Sequence, residues 1–274
     1  MKLQSIEYRF ILLTPAMVGG AGGKSGYAEM RIASIRGQVR WWHRAAGLSP
    51  GFNQVWGQTD GSIIASRVSL ALAAGARPAH GGAPILPHDL KKSGPPRDAL
   101  NASEIFTVTL RRLVGCSPDH WLAAQRAVKL WLLLGCIGLR ANRAAGSVWP
   151  LDDYLPESDR WVPADEQSLR GTIRGFGYSK IVQLADPSIL GHGSLKDEPT
   201  HALKLRHAAS DTVSVSQYFG SIKPQRKPSP LKMKVIRLGA EHRLLLTGLA
   251  SSADFIGARS ALGTGKPLGN AAWA

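Results

Sequence analysis

At 274 residues, 44% of them apolar, the chain can build one large or two modest domains around a real core, which excludes a disordered tail or a miniprotein that needs staples. Its 34 Lys and Arg against 19 Asp and Glu leave a formal charge of +15, spread along the whole length rather than gathered at one end, as suits a protein that meets a polyanion. The two cysteines, Cys116 and Cys136, are too few for a disulfide framework and lack a metal-ligand spacing, so a reduced, cytoplasmic setting is expected.

Met1 to Ser5 runs into a strand without a signal-peptide pattern, and the most apolar stretch, Trp131 to Leu139, is half the length that crosses a bilayer; no membrane partner is expected. Ile6 to Leu13 reads as a first, central strand, broken at Thr14-Pro15 and followed by the glycine loop Gly19 to Lys24. Ser34 as N-cap and Gly47 as stop enclose a helix over Ile35 to Ala46. Ser66 to Ala73 alternates with a two-residue period, Gly75 to Pro96 is a long Gly/Pro-rich loop, and Glu104 to Leu113 alternates again. Ser117 and Pro118 open a second helix whose apolar side carries Leu122, Val128, Leu132 and Leu133; Gly135 ends it, and a short strand follows at Ser147 to Trp149.

That order is β-α-β-β-α-β, an α+β, ferredoxin-like (RRM-like) arrangement over residues 1–150. Residues 151–274 read as a second, less regular domain. It holds a strand within Gly171 to Ile181, a polar loop over Asp186 to Asp211, a basic proline-rich connector from Lys223 to Pro230, and strands Lys232 to Leu238 and Arg243 to Leu249 paired through a turn at Gly239 to Glu241.

Three segments carry chemistry. In the loop Gly19 to Lys24, glycines let backbone N–H groups approach a phosphate and Lys24 adds charge, although the spacing is not that of a P-loop and most such loops are plain flexible turns. The helix Ser34 to Arg44 sets Ile35, Val39 and Trp42 on one side and Arg36, Arg40, His43 and Arg44 on an adjacent stripe without an acidic residue. Trp41 lies off the apolar side, where it can stack on a base. A solvated helix face is the bland alternative for that stripe. The segment Gly135 to Ser147 is a glycine-punctuated loop bearing Arg140, Asn142 and Arg143, suited to gripping a nucleic-acid backbone.

The run Thr14-Pro15-Ala16-Met17-Val18-Gly19-Gly20-Ala21, with Glu29-Met30-Arg31, Ser34-Ile35-Arg36-Gly37 and Arg40-Trp41-Trp42-His43-Arg44, resembles the N-terminal signature of the RAMP superfamily. The resemblance is strongest to the first-subunit family of Cmr (type III-B) CRISPR effector complexes. Val55-Trp56-Gly57 is similar to the family's iFG element, with Trp56 where Phe is usual. Gly138 to Ser147 is similar to its G-loop, with Ala145 where a further glycine is usual, and Arg226-Lys227-Pro228-Ser229-Pro230-Leu231 is similar to a Ser-Pro segment of its second domain. The resemblance implies two RAMP domains in an RNA-binding structural subunit of an antiviral ribonucleoprotein, holding the 3′ part of the CRISPR RNA and helping to capture target RNA beside other Cmr/RAMP subunits. It implies RNA contacts at Lys24, Arg36, Arg40, Arg44, Arg140 and Arg143, to which the residue reading adds Trp41, His43, Asn142, Arg226 and Lys227; no cofactor, metal or catalytic group transfers with it.

Two other classes fit the sequence less well. A RAMP-type endoribonuclease, processing CRISPR RNA or cutting target RNA, would use His43 as general acid or base, beside which no second catalytic group stands, or an Asp such as Asp60 or Asp89, neither in a spacing that compels the role. His80, His88 and Asp89 lie in a Gly/Pro loop that does not fix metal geometry. A general RNA-recognition sheet would need aromatic-rich central strands, and Tyr8, Phe10 and Phe106 do not make that pattern.

Overall fold

The alternation in the first strand sets the core: in β1 (Ser5–Leu12) Tyr8, Phe10 and Leu12 are buried, whereas Ser5 and Glu7 are exposed. The computed structural model describes residues 4–19, 27–73, 98–142, 144–178, 182–184 and 231–248. β1 pairs antiparallel with β3 (Ile105–Arg112), setting Phe10 opposite Phe106 with their rings stacked 5.6 Å apart. β2 (Val68–Leu72) adds to the far side of β3, and β4 (Val148–Leu151) to the free side of β1. The sheet order is β2-β3-β1-β4, every neighbouring pair antiparallel. β4 is thus an edge strand, where Pro150 can be accommodated despite its missing N–H.

Helix α1 (Ile32–Ala46) packs alongside α3 (Pro118–Leu134), and Trp131 of α3 stands edge-on to Phe10 at 5.3 Å. Ile35, Val39 and Trp42 of α1 join the same hydrophobic cluster as the buried residues of β1 and β3. The start of α1 differs from the expected one. Ser34 lies inside the first turn, its N–H bonded to the Arg31 carbonyl at 3.0 Å, and the extended Arg31 caps the helix without a side-chain bond. Gly47 ends α1 at φ 62, as expected.

A short helix that periodicity did not reveal, α2 (Phe52–Trp56), follows α1; five residues are too few to show a helical period. Gly57 closes it at φ +79, where a Cβ would stand 2.8 Å from the Ile64 carbonyl. In α3 the Ser117 cap holds, its hydroxyl accepting from the His120 N–H at 3.2 Å. Leu122, expected on the apolar side, is 46% exposed, and Trp121 is buried in its place.

Beyond β4, the Asp152 carboxylate accepts from the backbone N–H groups of Trp161 and Val162 at 2.6 and 2.7 Å, turning the chain back. Where a strand was expected within residues 171–181, residues 171–175 are helical instead: α4 (Glu166–Gly175) starts from an Asp165–Ser168 cap and buries Leu169 and Ile173, one turn apart. Only afterwards comes β5 (Val182–Leu184). It joins β6 (Leu231–Leu238) and β7 (Glu241–Gly248) in a second sheet of order β5-β7-β6. The β6–β7 hairpin forms as expected, with Leu238 opposite Glu241.

One hydrophobic cluster runs through both sheets, from Phe10 and Trp131 to Val235 and Leu245. The loops expected over residues 75–96, 186–211 and 223–230 lie outside the described residues. Among the described residues no helix is long and apolar enough to cross a membrane.

Candidate nucleic-acid interface

The arginines of α1 are held by neutral partners. Arg36 is exposed and donates from Nη2 to the Trp56 carbonyl at 3.1 Å. The guanidinium groups of Arg40 and Arg44 lie over the Phe52 ring, 4.7 and 4.4 Å from its centre. Partial burial lowers the Arg40 pKa from its ordinary value, and the like charges of Arg36 and Arg44 add to that. Among the described residues none of the three is paired with a carboxylate. Aromatic and carbonyl contacts restrain the fork of donors without neutralising it, which leaves three cations in a row for an external anion.

His43 departs from the expected stripe. It is fully buried, its Nδ1 accepting from Trp56 Nε1 at 3.2 Å; that fixes the proton on Nε2, which faces the Pro50 carbonyl at 3.1 Å. Burial pushes its pKa down, so the ring is neutral. The reason is angular: one residue beyond Trp42, the α1 surface is roofed by α2, a helix the sequence did not disclose. His43 is therefore an internal hydrogen-bond hub rather than an RNA contact. Trp41, half-buried, has the ammonium of Lys232 3.4 Å above its ring, so one of the faces expected to receive a base is occupied from within.

The glycine loop after α3 is woven into both sheets. Thr14 Oγ1 donates to the Ala144 carbonyl at 2.7 Å and accepts from the Ser147 N–H at 2.9 Å, both buried. The N–H of Gly146 reaches the Pro15 carbonyl at 2.9 Å, and that of Leu139 the Met17 carbonyl at 2.9 Å. Gly138 sits at φ +89, where a Cβ would come 2.6 Å from the Met17 carbonyl; Gly146, at φ +63, would place one onto the Ile137 carbonyl. On its other side the loop exchanges backbone bonds with β6: Met233 N–H to the Asn142 carbonyl and Ala144 N–H to the Met233 carbonyl, each 3.1 Å. Asn142 thus contributes its backbone to the fold, while Arg140, half-buried, adopts a left-handed φ of 60.

Two lysines that sequence reasoning did not single out sit at this seam. Lys234 is buried and donates to the Leu132 carbonyl at the C-terminal end of α3, at 2.6 Å. Lys232, on the same side of β6, covers Trp41. Desolvation pushes their pKa values down to about 7 and about 8 respectively. In sequence they are the ordinary polar half of an alternating strand, and only the docking of β6 onto α3 marks them out. Both cysteines are free and buried.

The described part of the site falls into two groups. Arg36, Arg40 and Arg44 face α2. Gln38 and Trp42, two positions along and so roughly 160° around the helix, border the loop at Ala141 and Asn142. Nothing among the described contacts joins Arg140 to the arginine stripe. Lys24, Arg143, Arg226 and Lys227 lie outside the described residues, as do His80, His88 and Asp89. Asp60 is exposed, and among the described residues no group of three or more His, Cys, Asp or Glu could hold a metal ion.

No family model and no curated protein matches the chain. Solved structures do. A crystal structure of Cmr1 from Pyrococcus furiosus in its apo form aligns over 92% of this chain and 89% of its own, at TM-score 0.59 and 18% identity. Type III-B Cmr-beta bound to cognate target RNA contains a chain that aligns over 90% of this one and 94% of its own, at TM-score 0.53 and 11% identity. A second structure of that complex, with AMPPnP and in the presence of single-stranded DNA, matches over 95% and 98%, at TM-score 0.54 and 13% identity. The chain shares the fold of Cmr1.

Proposed function

We propose that the protein is a non-catalytic, RNA-binding subunit of a type III-B CRISPR (Cmr) effector complex, holding the 3′ part of the CRISPR RNA and helping to capture target RNA in antiviral defence. The observation that carries this reading is the row Arg36, Arg40 and Arg44, three cations restrained by Phe52 and a carbonyl and left without carboxylates among the described residues. The surplus of +15 and the likeness to chains of a complex bound to target RNA support it. In such a complex base pairing reads the sequence, and protein cations hold the ribose-phosphate shape. Residues 1–150 are read as a ferredoxin-like RAMP unit, given the β2-β3-β1-β4 order, and residues 151–274 as a second RAMP-like unit docked through β6. Lys24, Arg140, Arg143, Arg226 and Lys227 are the further cations assigned to RNA in this reading. The partners are CRISPR RNA, target RNA and the other Cmr subunits in the cytoplasm.

The non-catalytic reading is supported by His43, the residue on which a processing ribonuclease would rely, being neutral and sealed between Trp56 and Pro50. Replacing Arg36, Arg40 and Arg44 together by Ala tests the proposal. Affinity for single-stranded RNA should fall by at least tenfold, and the salt dependence should flatten by about 0.7 logarithmic units per lost phosphate contact. Unchanged affinity would remove α1 from the interface. Sequencing RNA that co-purifies from the host should return short RNAs sharing a repeat-derived 5′ tag; a random RNA population would contradict the guide-complex assignment.

A further inference from the structure

A small cavity of about 30 Å³ opens where β6 crosses α1 and the glycine loop, bordered by Gln38, Trp42, Asn142 and Lys232. It is large enough for one oxygen-sized group. Trp42 is 1% exposed, and its indole N–H finds no acceptor. Beside it is Gly135, where a Cβ would come 2.6 Å from that nitrogen, so the backbone is held close and no side chain can fill the space. Lys232 adds an ammonium, 3.4 Å from the centre of the Trp41 ring and 5.9 Å from that of Trp42, with no carboxylate paired to it among the described residues.

An orphaned indole N–H, a lysine and two amide side chains make a site rich in donors. The neighbouring thiol of Cys136 is buried, and desolvation raises its pKa, so it supplies no anion. A buried donor without a partner is costly, and an anionic oxygen relieves both that cost and the lone cation. Trp41 lies half-buried alongside, presenting aromatic surface next to the cation, an arrangement that suits a nucleotide better than an isolated carboxylate.

We propose that Lys232 and Trp42 form a seat for one backbone phosphodiester of bound RNA, a nonbridging oxygen entering the cavity at the seam between β6, α1 and the glycine loop. This rests on the RNA-binding reading above, and it assigns the second sheet a direct part in the contact through Lys232.

The test uses the full chain with its tryptophan indoles labelled with nitrogen-15, the Trp42 resonance being assigned by its loss in Trp42→Phe. Single-stranded RNA should shift that resonance. Lys232→Met should weaken RNA binding roughly tenfold or more and reduce the salt slope by about 0.7, a change that a purely structural lysine would not produce. If wild-type protein binds RNA, while Lys232→Met keeps its affinity and slope and the Trp42 resonance stays put, the seat is wrong and the broader reading survives. If wild-type protein binds no RNA, both fall. A shift produced by inorganic phosphate or an acidic peptide, but not by RNA, would assign the cavity to a different anion and overturn the proposal.

Discussion

Lys234 of β6 reaches the carbonyl of Leu132 near the end of α3, its ammonium 2.6 Å from that oxygen and shut off from solvent. The contact gives a carbonyl of the helix's last turn a donor and ties the second sheet to the first layer of helices.

It also makes stability depend on pH. The Lys234 pKa falls to about 7 from an ordinary 10.5, because burial disfavours the charged form. Between those values the unfolded chain holds a proton that the folded chain does not, so stability rises with pH across that window, and the full penalty is present below about pH 7. Lys232, at about 8, acts in the same direction. Chemical denaturation should show wild-type stability increasing from about pH 7 towards the ordinary lysine value of 10.5, by on the order of a few kcal/mol at most. Lys234→Met should remove the larger part of that rise; an unaltered profile would show that the lysine is solvated.

His43→Ala should destabilise the fold by about 2–4 kcal/mol, because it opens a cavity and strands the indole N–H of Trp56. Affinity for RNA per folded molecule should not change. With the His43 pKa held below 6.5, stability is retained above that value and lost as pH falls beneath it, when the unfolded ring takes up a proton. Circular dichroism melts at several pH values, for wild type and variant, measure both effects.

Phe52→Leu keeps an apolar side chain on α2 but removes the ring beneath Arg40 and Arg44. Stability should drop by about 1 kcal/mol. RNA affinity should fall several-fold, as two guanidinium groups lose the restraint that keeps them aligned. Equal affinities in a titration would mean that the arginines need no pre-ordering.

Gly146→Ala meets both a φ of +63 and the Ile137 carbonyl, so it should be more damaging than Gly37→Ala, where a Cβ meets nothing within 4 Å. The Gly146 variant should lose several kcal/mol or fail to fold, whereas Gly37→Ala in α1 should stabilise by up to about 1 kcal/mol. Melting temperatures of the pair provide the comparison.

Thr14→Val removes a buried hydroxyl that bonds to both Ala144 and Ser147. A loss of about 1–3 kcal/mol is expected, since the Ser147 N–H is left unpaired, while the Ala144 carbonyl keeps the Ser147 hydroxyl. A loss below about 0.5 kcal/mol in a denaturant titration would show that the loop finds other partners.

The two main helices, the four strands of the first sheet and the β6–β7 hairpin were legible in sequence because each carries its own period and punctuation: Tyr8, Phe10 and Leu12 alternate, Ser117 and Pro118 open a helix, Gly47 closes one. The arginine stripe was legible for the same reason, helical spacing being local. What depends on elements remote in the chain was not. His43 shares the arginines' side of α1 by angle, yet it is interior because α2 roofs that strip. Lys232 and Lys234 look like the solvent side of an ordinary strand, and only the docking of β6 on α3 turns one into a helix cap and the other into the partner of Trp41. Periodicity reports which side of an element a residue occupies; whether that side meets water, a helix end or another sheet is decided by packing, to which residues some hundred positions away contribute.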